Sequence, residues 1–169
     1  MNQKDIIEKI GVLELFFKQE YEQNRSYTIE SISPYSKEIN QYIRTAQELN
    51  IYKKCNLVED IITRRALIFP IDKDYKFGGG ITNLERMLKG EAPRDSATGE
   101  IIELHHIGQK FDSPFAELPR SIHCSTATYS ILHDTTIESW RIDKQLISLT
   151  QQEIYNYWQM RGEILAGKR

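Results

Sequence analysis

Apolar side chains recur at steps of three and four through residues 5–23, so Ile6, Ile10, Leu13, Phe17 and Tyr21 share one helical face. Asp5 stands at the start, where a carboxylate suits the helix dipole. Ser33-Pro34 predicts a second helix, with Ser33 as N-cap and Pro34 at the first helical position. Its stripe is Tyr35, Ile39, Tyr42 or Ile43, Ala46 and Leu49, and Asn50 is its expected stop. Residues 57–71 fit two templates. Leu57, Ile61, Ile62 and Ala66 suggest helix, whereas Ala66-Leu67-Ile68-Phe69 before Pro70 suggests a short buried strand. Gly78-Gly79-Gly80 follows and reads as a flexible joint.

Beyond the joint the pattern changes. Thr82-Asn83-Leu84-Glu85 is a capping box, and Gly90 and Pro93 keep its helix short. Residues 94–99 form turns. Glu100-Ile101-Ile102-Glu103-Leu104 then reads as a strand with His105 and His106 at its end. A polar loop, 108–114, leads to a second short strand at Phe115–Leu118, which Pro119 stops. Two strands and a following helix-competent segment make a ββα unit. Thr150-Gln151-Gln152-Glu153 is a second capping box, opening a helix with the stripe Ile154, Trp158, Arg161 and Leu165 and Gly167 at its end. Trp158, Phe16 and Phe17 are expected in the core. The pattern predicts an α+β fold, mostly helical with a small two-stranded core. The expected division is 1–77, an N-terminal helical region, and 78–169, the domain that carries the chemistry.

The 169 residues are 40% hydrophobic and 27% charged, the composition of a globular protein with a buried core. With 22 basic and 24 acidic residues the net charge is −2, which gives no global attraction for nucleic acid. A nucleic-acid enzyme of this composition needs a local basic patch, a metal, or both. No apolar run is long enough to cross a bilayer, so no membrane partner is expected. The opening residues lack the charged-then-apolar layout of a signal peptide, so the expected location is the cytoplasm or, for export, a target cell reached through a carrier. Cys55 and Cys124 are too few for a disulfide scaffold or a four-cysteine zinc site.

All four histidines, His105, His106, His123 and His133, fall between positions 105 and 133. Imidazole is the commonest metal-binding side chain. Neighbouring side chains on a strand point to opposite faces, so His105 and His106 suit different tasks: one on a metal, the other aimed at a substrate. The later pair is ten residues apart. Along one helix that spacing is a rise of about 15 Å and a rotation near −80°. His123 and His133 therefore share an ion only if the chain bends between them. Ser125-Thr126-Ala127-Thr128 is a weak helix interior where such a bend is expected.

These residues carry a family resemblance. Glu103-Leu104-His105-His106 resembles the signature of the LHH group of the HNH/endonuclease VII superfamily, the His-Me finger nucleases. The resemblance extends upstream through Arg86-Met87-Leu88-Lys89-Gly90-Glu91-Ala92-Pro93 and Thr98-Gly99-Glu100-Ile101-Ile102. Downstream it takes in Ile107-Gly108-Gln109-Lys110, Ser113 to Leu118, His123, Ile131-Leu132-His133-Asp134 and Tyr157-Trp158. It covers roughly residues 80–162.

What the resemblance implies is a ββα-metal core that cuts phosphodiester bonds, and DNA is the expected substrate. His106 corresponds to the general base and His105 to a metal ligand. His123 and His133 correspond to the ligands from the helical part. In colicin-type DNases of the same superfamily those two sit four apart, whereas here they are ten apart. The implied cofactor is one divalent ion: zinc, magnesium, manganese or nickel. Gln109, Lys110 and Arg120, with Lys89 and Arg94, are the expected phosphate contacts, and Glu117 or a backbone carbonyl is expected to orient His106. LHH domains occur as toxic tips of bacterial antagonism proteins, which implies an immunity protein as partner; a free-standing defence nuclease fits equally. Two other classes compete: a structural-zinc interaction module closed by Cys124, and an RNase using the same finger.

Overall fold

The computed structural model describes residues 3–136 and 139–168. Its elements are α1 (Gln3–Ile32), α2 (Lys37–Asn40), α3 (Ala46–Lys54), β1 (Val58–Ile61), β2 (Arg65–Ile68), α4 (Asn83–Leu88), β3 (Ile102–His106), β4 (Phe115–Pro119), α5 (Arg120–His123), α6 (Thr126–Leu132) and α7 (Lys144–Leu165). The fold is α+β, as the pattern predicts, but the sheet has four strands rather than two, in the order β1-β2-β4-β3. The segment 57–71 supplies the extra pair as an antiparallel hairpin. Ala66 and Leu67 of β2 pair in parallel with Phe115 and Ala116 of β4, so the sheet joins residues from both sides of position 77.

Strand alternation divides the interior in two. Leu67, Ala116 and Leu118 face a core made with Tyr35, Ile39, Ile43, Leu49 and Tyr52 from the N-terminal helices. Ala66, Ile102, Leu104 and Phe115 face the opposite core, with Met87 of α4 and Tyr157 and Trp158 of α7. The sheet is thus covered on both faces, which explains why all five residues of β4, Glu117 included, are buried rather than alternating with exposed ones.

The capping box at Thr82 and Glu85 forms, and Gly90, at φ +74°, closes α4. The other boundaries move. The single helix expected from Ser33 is two helices. Ser33 accepts from the Tyr35 N–H and donates to Asn40, so it lies in the connection, and α2 starts only at Lys37. Residues 41–45 leave the helix because the Thr45 hydroxyl takes the Glu48 N–H and the Glu48 carboxylate takes the Arg44 N–H. Tyr35, Ile39, Ile43 and Leu49 of the apolar stripe are buried all the same, whereas Ala46 is exposed. Asn50 lies inside α3. α7 begins six residues before the second capping box: the Asp143 carboxylate accepts from the N–H groups of Gln145 and Leu146, and Thr150 merely bonds back to the Leu146 carbonyl.

Trp158 is buried as expected. Phe16, Phe17 and Tyr21 are not. They are 59%, 63% and 66% exposed, because α1 runs on to Ile32 and meets the core through Ile29. The side chains of Ile6, Ile10 and Leu13, expected on the same face, and of Asp5, expected at the helix start, lie outside the described residues. No described helix is long and apolar enough to cross a membrane.

Candidate metal centre

β3 delivers two imidazoles to opposite faces of the sheet. His105 pairs with Ala116 and His106 with Phe115. Both are buried. On the His105 side the chain leaves β4 at Pro119, makes the single turn α5 to His123, and breaks. Ser125 is extended at ψ 139° and its hydroxyl caps α6 through the Ala127 N–H. The bend demanded by the ten-residue spacing therefore lies at Cys124-Ser125. α6 then returns to His133, which terminates it in an extended conformation (φ −125°, ψ 116°).

The result is convergence. The ring centroids of His105, His123 and His133 lie 5.1–5.2 Å from one another. One donor nitrogen from each falls within 4.8 Å of the others. Nε2 of His105, Nε2 of His123 and Nδ1 of His133 are buried without a hydrogen-bond partner. A buried orphan of this kind costs about 1–3 kcal/mol, so three at one point is not a neutral outcome of packing. Burial first, then the neighbouring imidazoles, pushes His105 well below the usual histidine range, and His133 falls to about 4 for the same reasons. Imidazole nitrogens gathered in this way are a donor set that a divalent cation accepts.

His123 is oriented from behind. Its Nδ1 lies 2.8 Å from an oxygen of Glu103, which stands on the same face of β3 as His105. That contact places the proton on Nδ1 and leaves Nε2 toward the cluster. Cys124 bonds the same Glu103 carboxylate, and Glu103, His123 and Cys124 make a second group of donor atoms within 4.8 Å of one another that includes neither His105 nor His133. Among the described residues the cluster thus offers three donors.

His106 faces the other way. Its ring packs edge-on against Phe115 and Trp140, at 4.7 and 5.0 Å, and both of its nitrogens lack partners. Burial, with Arg64 and Arg141 nearby, lowers its pKa to about 4. A surface cleft brings the two faces together at the end of β3: His105, His106, Gln109, His133, Trp140 and Arg141 all line it.

The remaining expectations divide. Gln109 lines the cleft. Lys110 is exposed beside the Tyr42 ring. Arg120 is exposed, sits 3.4 Å from Glu103, and lines a separate cleft with Arg94 and Phe77. Glu117 does not orient His106. It stands opposite Leu104, fully buried, and its oxygens accept from the Phe69 N–H, the Tyr157 hydroxyl and Arg161 Nε. This is a core ion pair that fastens α7 to the sheet. Three residues stand at the site beyond those expected from sequence: Glu103 as the partner of His123, and Trp140 and Arg141 in the cleft. Glu103 is legible in the sequence, because residues two apart on a strand share a face. Trp140 and Arg141 carry no local signal.

Residues 82–163 match the family model described as LHH, a nuclease of the HNH/ENDO VII superfamily with conserved LHH. No solved structure matches the chain.

Proposed function

Because residues 82–163 match the LHH family of the HNH/endonuclease VII nuclease superfamily, we propose that this protein is a metal-dependent endonuclease that hydrolyses DNA phosphodiester bonds. The observation that carries the proposal is the convergence of three imidazoles, each with a buried nitrogen that has no hydrogen-bond partner, and a fourth imidazole, likewise unpartnered, in the adjoining cleft. His105, His123 and His133 would hold one divalent ion. When bound, it supplies positive charge to the phosphate oxygens and to the leaving oxygen.

His106 takes a proton from the attacking water at an imidazole nitrogen. It is neutral at neutral pH, so a lone pair is available, and no internal hydrogen bond competes for it. A phosphate entering the cleft brings negative charge beside the ring, which raises its basicity toward the working range. Phe115 and Trp140 hold the ring edge-on, so it is positioned by packing rather than by a carboxylate. Arg141, in the same cleft, supplies a cation for a phosphate oxygen, and the Nε2 amide of Gln109 a donor. Lys110 contacts the flanking backbone. These local charges answer the net charge of −2.

Three donors, with Cys124 engaged by Glu103, favour an open catalytic site over a closed structural zinc. The test is incubation of the purified chain with supercoiled plasmid and with single-stranded RNA across several divalent salts. Ion-dependent nicking of plasmid is the expected result. Cleavage of RNA alone would change the substrate to RNA, and intact plasmid and RNA in every salt would overturn the assignment.

A further inference from the structure

The family match begins at residue 82, yet the histidine cluster is gripped from outside it. Arg44 lies in the turn between α2 and α3. Its Nη1 donates to Oε1 of Gln109 at 3.1 Å, and its Nη2 donates to the carbonyl of Ile131 at 2.8 Å. The same Nη1 lies 3.9 Å from the Asp134 carboxylate. Oε1 of Gln109 also accepts the backbone N–H of Asp134. The guanidinium fork and the Gln109 amide together clasp residues 131–134, the segment that carries His133.

The segment is also held by the buried Leu132 and by the Tyr129 ring stacked on His133 at 4.4 Å, but neither contact comes from the turn that carries Arg44. His133 has left helical geometry, and its backbone tie to α6 is the N–H donated to the Tyr129 carbonyl. Gln109 sits at φ +59°, a left-handed conformation uncommon for a residue other than glycine, held in place by its engaged side chain. Arg44 is itself anchored. The buried Glu48 carboxylate accepts the Arg44 N–H at 2.8 Å and the Tyr52 hydroxyl at 2.7 Å, and lies 3.6 Å from Arg44 Nε. The turn also touches the site directly: a Cβ at Gly108 would lie 2.6 Å from the Tyr42 carbonyl oxygen.

We propose that Arg44 is a positioning residue for the histidine cluster, setting the place of His133 relative to His105 and His123, and that the N-terminal region is thereby part of the site. The proposal rests on reading those three imidazoles as one ligand set. A clamp that only strengthened the fold would leave ion affinity per folded molecule unchanged. A clamp that sets the donor triangle changes it.

The experiment is calorimetric titration of the full-length chain with Co²⁺, for wild type, His133→Ala, Arg44→Met and Arg44→Lys, each with its circular dichroism spectrum. Wild type should bind one ion. Arg44→Met should bind about tenfold or more weakly, the range for partners that orient ligands. Arg44→Lys keeps the charge beside Glu48 but lacks the planar fork that reaches two acceptors, so it should also bind several-fold more weakly and remain folded where Arg44→Met does not. A folded Arg44→Lys that binds Co²⁺ as tightly as wild type overturns the proposal while the ligand set stands. Wild type without a bound ion, or His133→Ala with undiminished affinity, overturns the ligand set instead.

Discussion

Nδ1 of His123 and a carboxylate oxygen of Glu103 lie 2.8 Å apart across the gap between α5 and β3. The pair ties the first turn after the sheet to the strand that bears His105, and it fixes which His123 nitrogen faces the cluster. Glu103→Gln replaces a charged acceptor by an amide and weakens that control. Divalent-ion affinity should fall by about 10–100-fold, read by calorimetric titration, with the helical signal retained. Undiminished affinity would place the ion elsewhere.

His106 is the group whose loss should separate chemistry from binding. His106→Ala should keep the ion affinity of the wild type and lower plasmid nicking by about 10²–10⁴-fold, the span ascribed to a general base. Nicking at the wild-type rate would remove His106 from the mechanism.

Acid should loosen the ion-free protein through its histidines. Folding lowers His106 and His133 to about 4, below their ordinary value near 6.5. The unfolded chain then binds more protons between those limits, so the stability these rings contribute is complete above pH 6.5 and is lost as pH falls toward 4. Urea midpoints measured in chelator should decline over that window. His106→Phe, which removes one of these groups, should show a shallower decline, and an identical slope would mean that His106 does not titrate there.

Glu117 predicts the opposite separation from Glu103. Glu117→Ala leaves Arg161 buried beside the Phe69 carbonyl without its carboxylate. Breaking such a pair costs about 3–5 kcal/mol, which urea denaturation should show. Ion affinity of the folded fraction should stay at the wild-type value, since Glu117 touches none of the histidines. A loss of affinity equal to that of Glu103→Gln would argue that it orients the site after all.

Gly108 measures how closely the N-terminal turn and the His-His strand end are packed. Gly108→Ala adds a Cβ at φ +71° and 2.6 Å from the Tyr42 carbonyl oxygen. Strain of about 1–3 kcal/mol from the backbone alone, together with the clash, should lower the urea midpoint clearly. An unchanged midpoint would mean that the turn moves aside freely.

The chain's local grammar determined a good deal. The capping box at Thr82, the stop at Gly90, the β-branched run before the two histidines and their placement on opposite faces all follow from interactions within a few residues. The requirement for a bend between His123 and His133 is also local, since helix geometry alone forbids the alternative. Tertiary structure decided the rest. Within 57–71, β1 and β2 form a hairpin because β2 found β4 about fifty residues away, a pairing that no periodicity announces. Glu117 was taken from His106 by Tyr157 and Arg161 of α7, and Phe17 and Tyr21 stayed outside because the core was filled by other residues. The convergence of His105, His123 and His133 is of the same kind. Residue type and spacing make it possible, but a ligand triangle is a set of distances between elements, and only the packing of α5 and α6 against the sheet sets them.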